Sequence, residues 1–285
     1  MKGSTEPFQL IHAEKSGPEL LEIHKWTKQC PGLTAGFTTR NGGVSEAPYG
    51  SLNLALHVND QREAVVENRK RVAAAIGMPF ESWTCAEQVH GHHVHVVSAA
   101  ERGRGRDERA DAIPAADAII TQESDICLAS FYADCVPLLL VDPVKRVIGL
   151  AHAGWQGTVQ QIAIHTIDKM KEAFGCDPQH ILAAIGPSIS SCCYEVDKRV
   201  IEPIEKLFED LPDTARSALS YRDEAHAMVD LREINRHLLL KAGIMASNIE
   251  CTTWCTGCHT ELFYSHRMEG GHTGRMASWI GWKKG

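Results

Sequence analysis

Cys135, His152 and a run of histidines at 90, 92, 93 and 95 are the residues of this 285-residue chain whose types suit metal chemistry. Zinc takes thiolate and neutral imidazole readily, and three such ligands leave a fourth tetrahedral position for water or substrate. Cys135 and His152 stand at the outer ends of two apolar runs in CVPLLLVDPVKRVIGLAHAGW, joined by the polar connection 142–146. That pattern predicts a β-hairpin centred near Val144, with Cys135 across from His152 and Ala153. Cross-strand neighbours have Cβ atoms ~4.5–5.5 Å apart, close enough to share one ion. Spacing does not choose the third ligand, because His90 in EQVHG competes with His92, His93 and His95. Each residue also has an ordinary reading: a surface imidazole for any one histidine, an inert packed thiol for Cys135. A hairpin that can hold a metal could equally hold a thiolate nucleophile, Cys135, beside its base, His152, as in a cysteine hydrolase or deamidase.

A second group, Cys251, Cys255, Cys258 and His259, lies in CTTWCTGCH. Its C-x-x-C-H string matches c-type haem attachment and part of a zinc site. Haem attachment of that type needs export, and a structural zinc draws on two separated ligand pairs. Reduced cysteines in a strand and loop are therefore expected here, with a second metal as the alternative.

The elements that must position these groups are read from periodicity. Apolar residues recur at helical intervals over 62–77 and 158–174, each run closing on glycine, and over 230–242, where Asp230 and Glu233 have capping-box spacing. Strands are predicted at 93–97, 135–141, 147–152, 181–185, 249–253 and 276–282. Helices and strands mix without strict alternation, which favours an α+β or layered sandwich arrangement over a doubly wound parallel sheet. The segment ERGRGRDERAD at 101–111 has charges and glycines but no apolar period, and reads as a solvated loop. No repeat or linker divides the chain, so one domain over 1–285 is the simpler assignment.

A hydrophobic fraction of 44% and 23% charged residues suit a globular enzyme rather than a disordered or fibrous chain. The net charge of -7, from 36 acidic and 29 basic residues, offers no field for nucleic acid, so a small ligand is the expected partner. The opening segment MKGSTEPFQLIHAEKSG lacks the apolar stretch of a secretory signal, and no run of ~18 apolar residues occurs. A cytoplasmic protein with no membrane association is expected, its ten cysteines kept as thiols.

Ordered blocks along the whole chain carry a family resemblance. They are GFTTRNGGVS at 36–45, SLNLALHVND at 51–60, EQVHG at 87–91, ADAIIT at 116–121 and ADCVPLLLVDP at 133–143. AHAGWQGT at 151–158, AIGPSISSCCYEV at 184–196 and SHRMEGGHTGRMASWIGW at 265–282 complete the set. With them the chain resembles the YfiH/YlmD family, which includes the vertebrate laccase domain-containing protein. The resemblance implies metal ligation by His90, Cys135 and His152. It also implies a layered α/β/β/α sandwich similar to the deamidase domain of cytotoxic necrotizing factor toxins. The activity implied is phosphorolysis of adenosine, inosine, guanosine and methylthioadenosine, with adenosine deamination beside it. Older labels called such proteins laccases or polyphenol oxidases. Two stretches depart from the family pattern: SISSCC at 188–193, and the charged segment 101–111 at a pocket edge.

Phosphorolysis needs a cationic fork for phosphate, and Arg40 beside the glycines of TTRNGG is the first candidate, Arg267 the alternative. Asn41 and Gln88 could bond ribose or base. Deamination needs hydroxide at neutral pH, which zinc supplies by lowering the pKa of bound water to ≈7. Copper oxidation of phenols is the less favoured alternative, because multicopper sites need many His-x-His pairs and the stretch near the site offers few, among them His93-Val94-His95. A metal-stabilised binding module without turnover is a further alternative, and monomer and homodimer are both open.

Overall fold

The computed structural model describes residues 6–11 and 17–284, so the charged opening segment falls partly outside it. The central hairpin is formed by Val136–Asp142 and Val147–Ala153, buried along their full lengths. Continuous apolar runs of this kind suit strands covered on both faces. The Asp142 carboxylate closes the turn by accepting from Val144 N and Lys145 N.

A six-stranded sheet is built around this hairpin in the order Ile249–Cys251, Leu182–Ile185, Val136–Asp142, Val147–Ala153, Ala118–Thr121, Val94–Val96. A second six-stranded sheet has the order Phe8–Ile11, Leu20–Ile23, Leu33–Thr38, Met276–Trp282, Cys127–Tyr132, Trp83–Cys85. Side chains alternate across each strand. Leu139, Val141, Ile148 and Leu150 pack against Leu128, Tyr132, Met276 and Ile280 between the two sheets. Leu138, Leu140 and Ala151 face the other way, onto Ile167 and Met170 of the helix Ile162–Phe174 and Ile234 and Leu238 of the helix Leu231–Lys241. The outer face of the other sheet, with Trp83 and Trp279, is covered by Val72 and Ala73 of the helix Arg62–Ala75. The molecule is thus mixed α+β, with helices outside two facing sheets.

Several expectations need correction. The helix predicted over 158–174 is two helices, Trp155–Val159 and Ile162–Phe174, broken where Gln161 adopts a left-handed φ of 59°. At 230–242 only half of the capping box forms. Asp230 accepts from Arg232 N and Glu233 N, but the Glu233 carboxylate pairs with Arg236 instead of reaching back. A complete capping box joins Ser98 and Glu101, where none was anticipated.

The segment 101–111 is not simply a solvated loop. The buried Arg69 guanidinium donates to the carbonyls of Gly105 and Arg106 at 2.7 and 2.8 Å, and Gly103 and Gly105 are buried. Its composition shows charge, but not that an arginine from the helix Arg62–Ala75 collects its carbonyls. Five strands of the second sheet (all but Met276–Trp282), the strand Ala118–Thr121, a small third sheet, Glu195–Asp197, His226–Val229 and Leu219–Tyr221, and the helix Lys198–Phe208 lie outside the periodicity reading. Strands of three or four residues carry little pattern, and Pro203 inside that helix reads as a break.

Candidate functional site

Cys135 and His152 reach one place because they share a face of the hairpin. The register pairs Val136 with Ala153 and Pro137 with His152, so Cys135 lies one step beyond the ladder, diagonal to His152 rather than directly across. The residue count between Cys135 and the inter-sheet positions 137, 139 and 141 is even, as it is between His152 and 148 and 150. Both side chains therefore turn toward the gap between the sheets, at its open end.

His90 arrives from a separate turn. Asp117, whose side chain is wholly buried, gathers that turn by accepting from Val89 N at 3.1 Å, His90 N at 2.9 Å and Gly91 N at 2.7 Å. The same carboxylate accepts from His152 Nδ1 at 2.9 Å, which directs Nε2 of that ring toward Cys135 and His90. His90 and Asp134, the residue before Cys135, sit at positive φ, 60° and 88°, a conformation non-glycine residues rarely hold outside constrained sites.

The ligand atoms of His90, Cys135 and His152 all lie within 4.8 Å of one another. His92, His93 and His95 are not part of this group: His92 contacts Gln160 and His95 contacts Glu101. Gly154 completes the geometry, since a Cβ there would lie 3.1 Å from Cys135 Sγ and 3.2 Å from His90 Cδ2.

The electrostatics of the group follow from this arrangement. Burial works to raise the Cys135 thiol, but the His152 and His90 imidazoles outweigh it and bring it down to about 6. Burial works to lower His152, but the Cys135 thiolate and the Asp117 hydrogen bond outweigh it and lift the ring to about 9. Without a metal the pair is a thiolate and an imidazolium. The thiolate is already in its metal-binding form and the imidazolium would release its proton to an incoming metal, and two imidazoles with one thiolate are a donor set that zinc accepts.

These residues border a cavity of about 540 Å³. Tyr132, Trp155, Ile189 and Tyr194 supply apolar and aromatic wall, while Arg69, Arg109, Arg267 and Arg275 supply cations. His57 stands among them, and burial together with Arg275, Arg109 and Arg69 pushes its imidazole down to about 4. A neutral histidine ringed by guanidiniums marks a region that favours an anion.

The substrate-residue expectations are divided by the structure. Arg267 lines the cavity, its guanidinium 5.2 Å from the Tyr194 ring centroid and donating to Glu195 O. Gln88 also lines it, but both ends of its amide are held by the backbone of Phe131. Arg40 and Asn41 are not among the lining residues. Arg40 donates to Gly50 O and Thr260 O, pairs with Glu269 at 2.9 Å and lies over the Tyr264 ring. Asn41 is bonded to Glu19 and Glu261 O.

Nor do the neighbouring glycines present a free cradle of amides. Gly43 N donates to Ser51 Oγ, and a Cβ on Gly42, at φ +87°, would lie 2.1 Å from Gly17 O. These glycines allow close backbone packing. Arg275, Arg109 and His57 were missed as candidates, although Arg275 and His57 fall inside recognisable blocks. No local spacing marks them, and Arg109 belongs to the segment read as solvated.

Comparison with known proteins places this geometry. A family described as multi-copper polyphenol oxidoreductase laccase matches residues 34–283. The chain belongs to that family. A Bacillus subtilis relative named purine nucleoside phosphorylase YlmD is 42% identical over 281 residues, 98% of each chain. Among solved structures, Bacillus licheniformis hypothetical protein YfiH superposes with a TM-score of 0.90 at 40% identity, covering 96% of this chain and 99% of that one. YlmD from Geobacillus stearothermophilus gives a TM-score of 0.90 at 39% identity, covering 98% and 100%. The chain is thus a YfiH/YlmD protein. Despite the wording of the family description, few imidazoles converge in this chain: the groups that could hold a metal among the described residues are His90/Cys135/His152 and a cluster of cysteines. No helix among those residues is long and apolar enough to cross a membrane.

Proposed function

We propose that this chain is a zinc-dependent purine nucleoside phosphorylase of the cytoplasm, acting as one domain, with adenosine deamination as a second activity. Its substrates are adenosine, inosine, guanosine or methylthioadenosine with phosphate, and its products the free base and ribose 1-phosphate or methylthioribose 1-phosphate. The names of the relatives point to this reaction, and one observation carries it to this chain. A single cavity joins the His90, Cys135 and His152 group to a wall of arginines around a neutral His57.

Phosphorolysis breaks the bond between sugar and base while positive charge grows on the sugar. Arg275, Arg109 and Arg267 would draw phosphate into the cavity and hold it by charge-assisted hydrogen bonds. Tyr132, Trp155 and Tyr194 would take the flat purine and exclude water. His90, Cys135 and His152 would hold the zinc, with Asp117 fixing the His152 ring. Zinc would supply Lewis acidity at one open position, the property that deamination and activation of phosphate or substrate both need.

Incubation of zinc-loaded protein with adenosine, with and without phosphate, tests the assignment. Adenine and ribose 1-phosphate formed only with phosphate support it, and inosine formed without phosphate supports deamination. Absence of all three products for every purine nucleoside offered defeats it.

A second reading has its own observation. Cys135, His152 and Asp117 are arranged as nucleophile, base and orienting acid, the pattern of a thiol hydrolase or deamidase. Turnover by the metal-stripped protein, abolished by alkylation of Cys135, would favour it.

A further inference from the structure

The proposed reaction makes no use of Cys192, Cys193, Cys255 and Cys258, yet their sulfur atoms all lie within 4.8 Å of one another. Cys192 Sγ is 3.2 Å from Cys258 Sγ, 3.5 Å from Cys255 Sγ and 3.7 Å from Cys193 Sγ, and Cys193 Sγ is 3.5 Å from Cys258 Sγ. Four ligands around one ion with zinc–sulfur bonds of ~2.3 Å at tetrahedral angles would place the sulfurs ~3.8 Å apart. A disulfide would instead bring two sulfurs to ~2.05 Å and gives the other two no reason to converge.

The backbone around the cluster also suits thiolates. Ser190 N donates to Cys255 Sγ at 3.4 Å, and the turn 255–259 folds so that Cys258 N and His259 N both donate to Cys255 O at 3.2 Å. The C-x-x-C pair and the vicinal pair come from segments over sixty positions apart, the two separated ligand pairs that a structural zinc draws on.

We propose that Cys192, Cys193, Cys255 and Cys258 form a second, tetrathiolate metal site that takes zinc or another soft divalent cation. Binding exchanges four sulfur–hydrogen bonds for four metal–sulfur bonds and releases the protons to solvent, with no change of oxidation state. All four positions are filled by protein, so the ion is structural rather than catalytic.

What it secures is a wall of the cavity. Thr256 N donates to Ser188 O, Ile189 N to Asp134 O, and Thr256 Oγ1 to the Asp134 carboxylate at 2.6 Å. Asp134 precedes Cys135, and Ile189 and Tyr194 line the cavity. An ion clamping 192–193 to 255–258 therefore holds the segment that flanks Cys135.

The test counts metal and does not depend on nucleoside turnover, so it stands apart from the fate of the phosphorylase assignment. Full-length protein, purified reduced, is saturated with zinc alone, freed of excess and analysed for bound metal. Two ions per chain are expected, falling to one in Cys135→Ala and to one in the Cys192→Ser/Cys258→Ser double variant. Cobalt(II) in Cys135→Ala should show the visible absorption of a tetrahedral thiolate complex. Should the double variant not fold, labelling of the unaltered protein decides. Cys192 and Cys258 are exposed, so resistance to alkylation that disappears on chelation supports the site. Free labelling of both in zinc-saturated protein, or a disulfide between any of the four, overturns it.

Discussion

Two groups of metal-capable side chains, one bordering the cavity and one drawing Cys192 and Cys193 from the segment 188–194, differ in donor type and surroundings. His90, Cys135 and His152 mix nitrogen with sulfur, are steered by the buried Asp117 carboxylate and open onto the arginine-lined cavity. Cys192, Cys193, Cys255 and Cys258 are all sulfur, with Cys192 and Cys258 exposed and Cys255 buried, and Cys255 and Cys192 hydrogen-bond to Ser190 N and Ser190 Oγ respectively. A metal held by the three ligands of the first would keep one position open toward the cavity, whereas four thiolates would fill a tetrahedral ion in the second. Donor type and openness, rather than the presence of cysteines, thus separate a group suited to chemistry from one suited to holding loops together.

The largest effect expected on that comparison comes from Cys135→Ala. Phosphorolysis and deamination should both fall to background with little change in melting temperature, while Cys192→Ser/Cys258→Ser should lose several degrees of thermal stability and keep measurable turnover. Full phosphorylase activity in metal-free Cys135→Ala would erase the distinction. Asp117→Asn comes next. Loss of an acid that orients a metal-binding histidine typically costs ~10–100-fold in metal affinity or activity, to be read by zinc titration against a chelator. An unchanged affinity would remove Asp117 from the account.

A smaller contrast separates arginines. Arg275→Gln should raise the KM for phosphate about tenfold, the size of one charge-assisted hydrogen bond. Arg40→Gln should leave that KM alone and instead lower unfolding stability by about 1–3 kcal/mol, because it strands the carbonyls and carboxylate that Arg40 now serves. The opposite pattern would return phosphate binding to Arg40.

The finest effect is one of pH. In metal-stripped protein, the neighbouring imidazoles hold the Cys135 thiol down at about 6, against burial. Its thiolate should therefore persist well below the usual thiol range. Alkylation should be fast at pH 7 and fall by half as the pH drops through about 6. Cys127, which burial pushes up, should stay unlabelled throughout. A Cys135 rate that rises only above pH 8 would show that the imidazoles do not act on it.

The hairpin was readable because two long apolar runs and an Asp142-Pro143 turn leave few other foldings, and side-chain parity then places Cys135 and His152 on one face. Even there the register differed by about one residue, since the length of the turn and not the apolar pattern sets the pairing. Arg40 and its glycines illustrate the opposite case. An arginine beside two glycines suits a phosphate cradle, but Glu269 and the 260–263 segment, more than two hundred positions away, claim the guanidinium. The cysteine cluster was half visible: CTTWCTGCH shows one ligand pair, and only the fold brings SISSCC to it.

By itself the sequence determined the mixed α+β class, three of the helical segments, most strands of the hairpin's own sheet, the thiol and one imidazole that share the hairpin, and, by resemblance, the family. Periodicity and turn chemistry act over a few residues, so they survive in a linear string. The tertiary structure decided which histidine joins that pair, which arginines face the cavity and which four cysteines meet. Those outcomes depend on contacts between segments distant in the chain, here the Asp117 carboxylate, the Arg69 guanidinium and the pairing of 188–193 with 255–258, and no local pattern encodes them.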